Sequence, residues 1–154
     1  MSTLDLVLAI AHHLAAFGLL AILVAQYVTL GGGVDAGAVR RLSRIDAGYG
    51  LTALVLVAVG FARATLAAKG WEFYSHNLFF WAKVGLFAAI ALISIRPTLA
   101  FRRWRKASLG QDRGERAVDA GEVAGVRRTI GIELALFTGL PVLAAAMARG
   151  VGMV

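Results

Sequence analysis

The chain has 154 residues, of which 59% are hydrophobic, and its mean hydropathy is +0.75, whereas an ordinary soluble domain is about 45 to 50% apolar. Composition therefore excludes an ordinary soluble domain and predicts one membrane domain over residues 1–154. The net charge of +7 does not indicate nucleic-acid binding, because most basic residues lie in two short segments between apolar runs. The absence of cysteine excludes disulfides, iron–sulfur clusters, thiolate ligands and covalent c-type haem.

The apolar runs predict an all-α fold, a four-transmembrane-helix antiparallel bundle. The first span covers roughly residues 5–30 and ends at three glycines, which favour turns over helix. It is longer than the apolar region of a signal peptide, about 7 to 15 residues, and no basic residue precedes it, so it is interpreted as a retained helix. The second span covers roughly residues 47–68.

One proline lies just after the third span and another lies within the fourth span, and each is expected to disturb its helix. The third covers roughly residues 78–95 and is expected to end near Arg96-Pro97, because proline lacks a backbone donor and disfavours helix before it. The fourth covers roughly residues 129–148 and includes Pro141, which is expected to kink it.

Two interhelical segments, residues 31–46 and 96–128, carry most of the arginines, while the link between the second and third spans carries only Lys69. The positive-inside rule therefore places both segments in the cytoplasm and both chain ends outside, in a bacterial-type inner membrane. The segment 96–128 is expected to extend the third and fourth helices beyond the bilayer.

Ionisable residues inside a membrane are costly, by about 2.5 to 3.5 kcal/mol each at a helix centre, and are therefore candidates for function. Their depth along the helices predicts two layers. The outer layer is basic and consists of His12, His13, Arg63, Lys83 and Arg149, with His76 in the adjoining link. The inner layer is acidic or neutral and consists of Gln26, Asp46, Ser94, Thr98 and Glu133.

Structural roles would also explain several of these residues. Arg63, Arg149 and Lys83 have side chains long enough to reach the outer interface, and a membrane histidine often serves as a hydrogen-bond donor between helices. Asp46 is interpreted as a helix-start residue that complements the helix dipole. Asp46 or Glu133 is also expected to pair with Arg44, Arg127 or Arg128.

An all-basic layer inside a bundle requires an anion, a carboxylate partner or water, because like charges repel in a low dielectric. Haem b has two carboxylates and takes a neutral imidazole as axial ligand. The sequence therefore predicts haem iron on His12, with the propionates contacted by Lys83 or Arg63. His13, His76, a methionine, water or no group remain open as the second axial ligand.

The chain resembles, over nearly its whole length, a family of predicted bacterial four-helix membrane proteins without assigned function. The stretches that carry the resemblance are His12-His13-Leu14 with Gln26, Arg44 to Gly50, Lys69 to Tyr74, Asn77 to Lys83, Ser94 to Thr98 and Ala148-Arg149-Gly150. The resemblance implies topology only. Gln26 stands where that family carries glutamate, so no proton-transfer role follows for this position.

A second resemblance is more distant and rests on two short elements, His12 and Trp81-Ala82-Lys83. These elements are similar to those of the haem-containing membrane protoporphyrinogen oxidases and of the copper-resistance membrane domain. The resemblance implies haem b at His12 with Lys83 near the porphyrin or its propionates. Oxidase activity is not transferred, because a shared fold does not carry function.

Three functions remain open from sequence. The leading hypothesis is a small haem-b membrane protein, either a redox enzyme or an electron carrier, with quinone or another redox partner. The first alternative is a transporter or proton-conducting bundle in which His12, Lys83, Gln26 and Glu133 line a polar path. The second is a non-catalytic accessory or assembly subunit. The lipid bilayer is the expected environment, a homo-oligomer stays open, and copper at His12 and His13 has few supporting ligands.

Overall fold

The protein is built from long helices that run back and forth. A computed structural model describes residues 3–66, 70–109 and 118–153, and within these ranges it contains six helices and no strand. They are α1 (Thr3–Gly31), α2 (Ala36–Leu66), α3 (Gly70–Ser75), α4 (Leu78–Leu109), α5 (Ala120–Phe137) and α6 (Gly139–Ala148). Four stretches are long and apolar enough to cross a membrane: α1, α2, α4, and α5 together with α6. The predicted all-α bundle of four spans is confirmed.

The four spans pack in a ring. Helix α1 packs against α2 and α5, while α4 packs against α2, α5 and α6. Their facing sides bury an apolar core in which Leu19, Ile90, Ile130 and Phe101 are at most 1% exposed. Each span therefore has one face in the bundle, and the polar residues on that face meet those of its neighbours.

The outward faces of the spans are apolar as well. Leu14, Leu54, Leu92 and Val142 come from the four different spans and are each at least 67% exposed. Water would not tolerate such a continuous apolar surface, whereas lipid does, because helices satisfy their backbone groups internally. The bundle is therefore suited to a lipid bilayer.

The arginine-rich segments are more helical than the sequence predicts. Helix α2 begins at Ala36, where the backbone N–H of Ala38 donates to Asp35 Oδ1 over 2.6 Å, so Asp35 provides the N-terminal cap. The extension of the third helix to Leu109 and the start of α5 at Ala120 confirm that these helices continue past the apolar spans. Residues 67–69, including Lys69, and residues 110–117 lie outside the described ranges.

Pro97 does not end the third helix, contrary to what its missing backbone donor predicts. Pro97 is buried inside α4, which continues for twelve further residues to Leu109. Proline there forfeits the single hydrogen bond that its N–H would make to the carbonyl of Ile93. Burial of the ring among the packed helices offsets that loss, so the helix persists.

The predicted irregularity at Pro141 is confirmed. Helix α5 ends at Phe137 and α6 begins at Gly139, with Thr138 between them. Pro141 has no N–H to donate to the carbonyl of Phe137, four residues earlier, so the break occurs one turn before the proline.

Asn77 ties the end of the chain to the start of α4, a contact that sequence analysis missed. The side chain is 0% exposed, and its Oδ1 accepts from the N–H of Phe79 at 2.9 Å. Its Nδ2 donates to the carbonyl of Val151 at 3.2 Å, and the Leu78 N–H donates to the carbonyl of Gly152 at 2.9 Å. An asparagine directly before an apolar run is a helix-start signal, so its role as a helix cap could have been predicted from the sequence. Its contact with the end of the chain could not.

Replacing Asn77 by alanine is expected to lower the free energy of unfolding by about 1–2 kcal/mol, because a helix cap and a buried hydrogen bond are both lost. Amide exchange at Val151 to Met153 should accelerate as the tail separates from α4. Ser75→Ala serves as the control, since the Ser75 hydroxyl contacts only nearby residues of the chain, Glu72 O and His76 Nδ1. Equal exchange in the two variants would contradict this role.

Candidate functional site

Three basic side chains from three different helices converge in one half of the bundle, and we call them the basic cluster: His12 of α1, Arg63 of α2 and Lys83 of α4. Lys83 and Arg63 both act electrostatically on His12, and Arg63 also acts on Lys83. All the charged neighbours that act on His12 among the described residues are basic. Partly buried cations repel one another, so a negatively charged group would stabilise this cluster.

Two nitrogen atoms of the basic cluster lack partners. His12 Nδ1 and Arg63 Nε are buried and make no hydrogen bond within the described parts of the chain. Buried polar atoms are normally satisfied, so these two nitrogens are candidates for contact with water or a ligand. The cluster thus contains a buried imidazole nitrogen and a buried guanidinium N–H without hydrogen-bond partners among the described residues.

Gly60 makes room for His12. A Cβ at Gly60 would lie 3.2 Å from His12 Cε1, which is tighter than ordinary van der Waals contact. Glycine therefore lets the imidazole lie directly against the backbone of α2. Gly60 precedes Arg63 by three residues and shares its helix face, so helical phase could have identified it.

The remaining predicted basic residues do not join the basic cluster. His13 is exposed and its Nδ1 donates to the carbonyl of Ala9 in its own helix at 2.6 Å. His76 is exposed in the turn after α3, with Nδ1 2.9 Å from the carbonyl of Glu72. Arg149 is exposed at the end of α6. The structure thus brings together His12, Arg63 and Lys83 and leaves the other three at the surface.

Polar side chains from all four spans also meet in the opposite, arginine-rich half, and we call them the carboxylate cluster. Asp46 Oδ1 accepts from Thr98 Oγ1 at 2.9 Å and from Gln26 Nε2 at 3.4 Å. Asp46 acts electrostatically on Glu133, and Glu133 acts on Tyr49. The members are Gln26 of α1, Asp46 and Tyr49 of α2, Ser94 and Thr98 of α4, and Glu133 of α5.

The interpretation of Asp46 as a helix-start residue is wrong. Asp46 lies ten positions after Ala36, the first residue of α2, so its carboxylate bonds to neighbouring helices rather than to free backbone N–H groups. The helix begins earlier because the arginines that precede Asp46 are good helix formers and Asp35 provides the cap.

Glu133 is fully buried and has no partner. Its exposed fraction is 0%, and neither Oε1 nor Oε2 makes a hydrogen bond within the described residues. Within the described residues neither Asp46 nor Glu133 forms an ion pair with Arg44, Arg127 or Arg128, although Arg102 acts electrostatically on Asp46. Arg103 instead pairs with Glu122 at the surface, and Arg127 stacks on the Tyr27 ring with its Cζ 4.3 Å from the centroid.

An apolar layer separates the two clusters. It consists of one buried side chain from each span, namely Leu19, Leu56, Ile90 and Phe137, all within the same core. Leu19 lies seven residues from both His12 and Gln26, which is about 10 Å along the helix in each direction. The layer places apolar side chains between the basic cluster and the carboxylate cluster.

Replacing Thr98 by valine is expected to lower the free energy of unfolding by about 1.5–3 kcal/mol, because Asp46 loses its shortest side-chain hydrogen bond. Thr65→Val is the matched control, since the exposed Thr65 hydroxyl donates only to backbone carbonyls of its own helix. Chemical denaturation in detergent would measure both. If Thr98→Val lowered the free energy of unfolding no more than Thr65→Val, the hydrogen bond from Thr98 to Asp46 would not contribute to stability.

The described residues hold no group of three or more histidine, cysteine, aspartate or glutamate side chains that could bind a metal ion. A protein-only copper centre at His12 and His13 therefore finds no third ligand of these types in the described ranges. Haem places a different demand on the protein, because the porphyrin supplies four nitrogens and one histidine can complete a five-coordinate iron.

Residues 4–152 match the model of a protein family described as predicted membrane protein (DUF2214). No curated protein and no solved structure matches the chain. The resemblance to a family of predicted membrane proteins is thereby confirmed, whereas the likeness to haem-containing oxidases and to the copper-resistance domain gains no support.

Proposed function

Because this chain belongs to the DUF2214 family of predicted membrane proteins, we propose a function that operates within the bilayer: binding of haem b at the basic cluster, for redox chemistry or electron transfer. The observation that carries the proposal is the convergence of His12, Arg63 and Lys83 from three helices, with buried nitrogens on His12 and Arg63 that have no partner.

The chemistry of the basic cluster matches the needs of haem b. His12 offers a nitrogen for the iron, and the two propionates would neutralise Lys83 and Arg63. Haem bound in this way supplies one-electron redox chemistry, while the side chains fix its orientation and its charge environment. The close approach of His12 to α2 at Gly60 restricts the imidazole to one position.

The proposal includes an orientation of the protein in the membrane. The arginine-rich ends of α2 and α4 would lie in the cytoplasm of a bacterial-type inner membrane, by the positive-inside rule. The basic cluster would then lie in the non-cytoplasmic half, where a quinone or a protein redox partner could exchange electrons with the haem.

The absorption spectrum of the protein tests the proposal. Protein expressed with ample haem and purified in mild detergent should show a Soret band that shifts on dithionite reduction, with a reduced α band. Lys83→Gln should weaken haem retention, because one propionate loses its cation. Arg149→Gln is the control, since Arg149 is exposed at the end of α6. An absence of haem bands would overturn the proposal and favour an accessory or assembly subunit.

A further inference from the structure

We propose that the carboxylate cluster is a binding site for one small monovalent cation, a proton or a sodium ion, between Glu133 and Asp46. The inference does not depend on haem binding, because the apolar layer of Leu19, Leu56 and Ile90 separates it from the basic cluster. It rests on Glu133, which is 0% exposed and whose two oxygens make no hydrogen bond within the described residues.

The net charge of the site indicates the charge of the ion that it would bind. Asp46 and Glu133 are the two carboxylates of the cluster, and Asp46 acts electrostatically on Glu133. Arg102 of α4 is the cation that acts on Asp46. With both carboxylates ionised, the group of three carries one net negative charge, and a buried charge requires a partner. A single positive charge completes the site, whereas a divalent ion would exceed it.

The ligand types fit a hard cation. Every member of the carboxylate cluster can present an oxygen: the carboxylates of Asp46 and Glu133, the hydroxyls of Tyr49, Ser94 and Thr98, and the amide of Gln26. Oxygen ligands suit hard cations, and protons compete for the same carboxylates. Thr98 and Gln26 already hold Asp46 Oδ1, so Asp46 is fixed while Glu133 remains available.

The neighbourhood of Glu133 contributes few other charges. Asp46 of α2 is the charged group that acts on Glu133 among the described residues, and Glu133 acts on Tyr49 of the same helix as Asp46. Gln26 of α1 and Thr98 and Arg102 of α4 lie around Asp46. The apolar layer lies between the site and the opposite half of the bundle, so a cation would enter from the arginine-rich side.

Thermal unfolding of the full chain in detergent tests this site. Its midpoint should be measured at pH 6 and pH 9, in sodium chloride and in choline chloride at equal ionic strength. We expect the wild type to be least stable at pH 9 in choline. A gain of about 5 °C or more on adding sodium at pH 9 identifies sodium, and a gain only on lowering the pH identifies a proton.

Substitutions test whether Glu133 causes the change in unfolding midpoint with sodium or pH. Glu133→Gln, a neutral isostere, should lose the wild-type response and be more stable than the wild type at pH 9 in choline. Glu122→Gln is the control on the same helix and should respond like the wild type, because Glu122 lies at the surface beside Arg103. Asp46→Asn should reduce the response and provides a second variant if Glu133→Gln does not fold. The inference would be overturned if neither sodium nor a lower pH raised the unfolding midpoint of the wild type. It would also be overturned if the Glu133→Gln protein responded like the wild type.

Discussion

Replacing His12 by alanine is expected to reduce haem content by at least about tenfold, because the substitution removes the proposed axial ligand, and loss of even an indirect metal partner costs 10–100-fold in affinity. The cause lies in the geometry of the basic cluster: His12 alone among the three histidines lies beside Lys83 and Arg63. The Soret absorbance per chain, measured after purification in mild detergent, provides the readout.

His13→Ala is the matched control for this substitution. His13 is the next residue, carries the same ring and faces away from the bundle, with Nδ1 bonded to the carbonyl of Ala9. We expect His13→Ala to retain haem at the wild-type level. Equal haem loss in the two variants would show that the histidines act through helix stability and would remove His12 from its proposed role.

Replacing Gly60 by valine is expected to lower the free energy of unfolding by about 1–3 kcal/mol and to reduce haem content, because the new side chain occupies the space of His12. Even the first added carbon would lie 3.2 Å from His12 Cε1, and the two methyl groups of valine add further volume. Denaturant unfolding in detergent and the Soret absorbance measure the two effects.

Gly50→Val separates this crowding from the intrinsic effect of valine in a helix. Gly50 lies in the same helix, and a Cβ added there meets nothing within 4 Å. We expect Gly50→Val to change the free energy of unfolding by no more than about 0.5 kcal/mol. A Gly60→Val protein as stable and as haem-rich as Gly50→Val would show that His12 does not need the space at Gly60.

Much of the fold could be predicted because hydropathy and arginine spacing are properties of short stretches of sequence. The four spans and the break before Pro141 follow from such local signals. The start of α2 was misplaced because arginines suit both a polar loop and a helix, and Asp35 decides between them by capping. Pro97 was misjudged because its burial depends on neighbouring helices, which the local sequence does not show.

The two clusters could be predicted in outline but not in detail. Depth along each helix is enough to place His12 with Lys83 in one half and Asp46 with Glu133 in the other. Partners depend on how the helices rotate and pack. Sequence therefore could not show that Asp46 bonds to Thr98 or that Glu133 is left without a partner.

The ratio of haem to polypeptide in the purified wild-type protein tests the central claim most directly, namely that the basic cluster is a haem site. The pyridine haemochrome assay gives the haem concentration, and amino-acid analysis gives the protein concentration. The account predicts close to one haem b per chain after expression with ample haem. A ratio near zero under those conditions would contradict it.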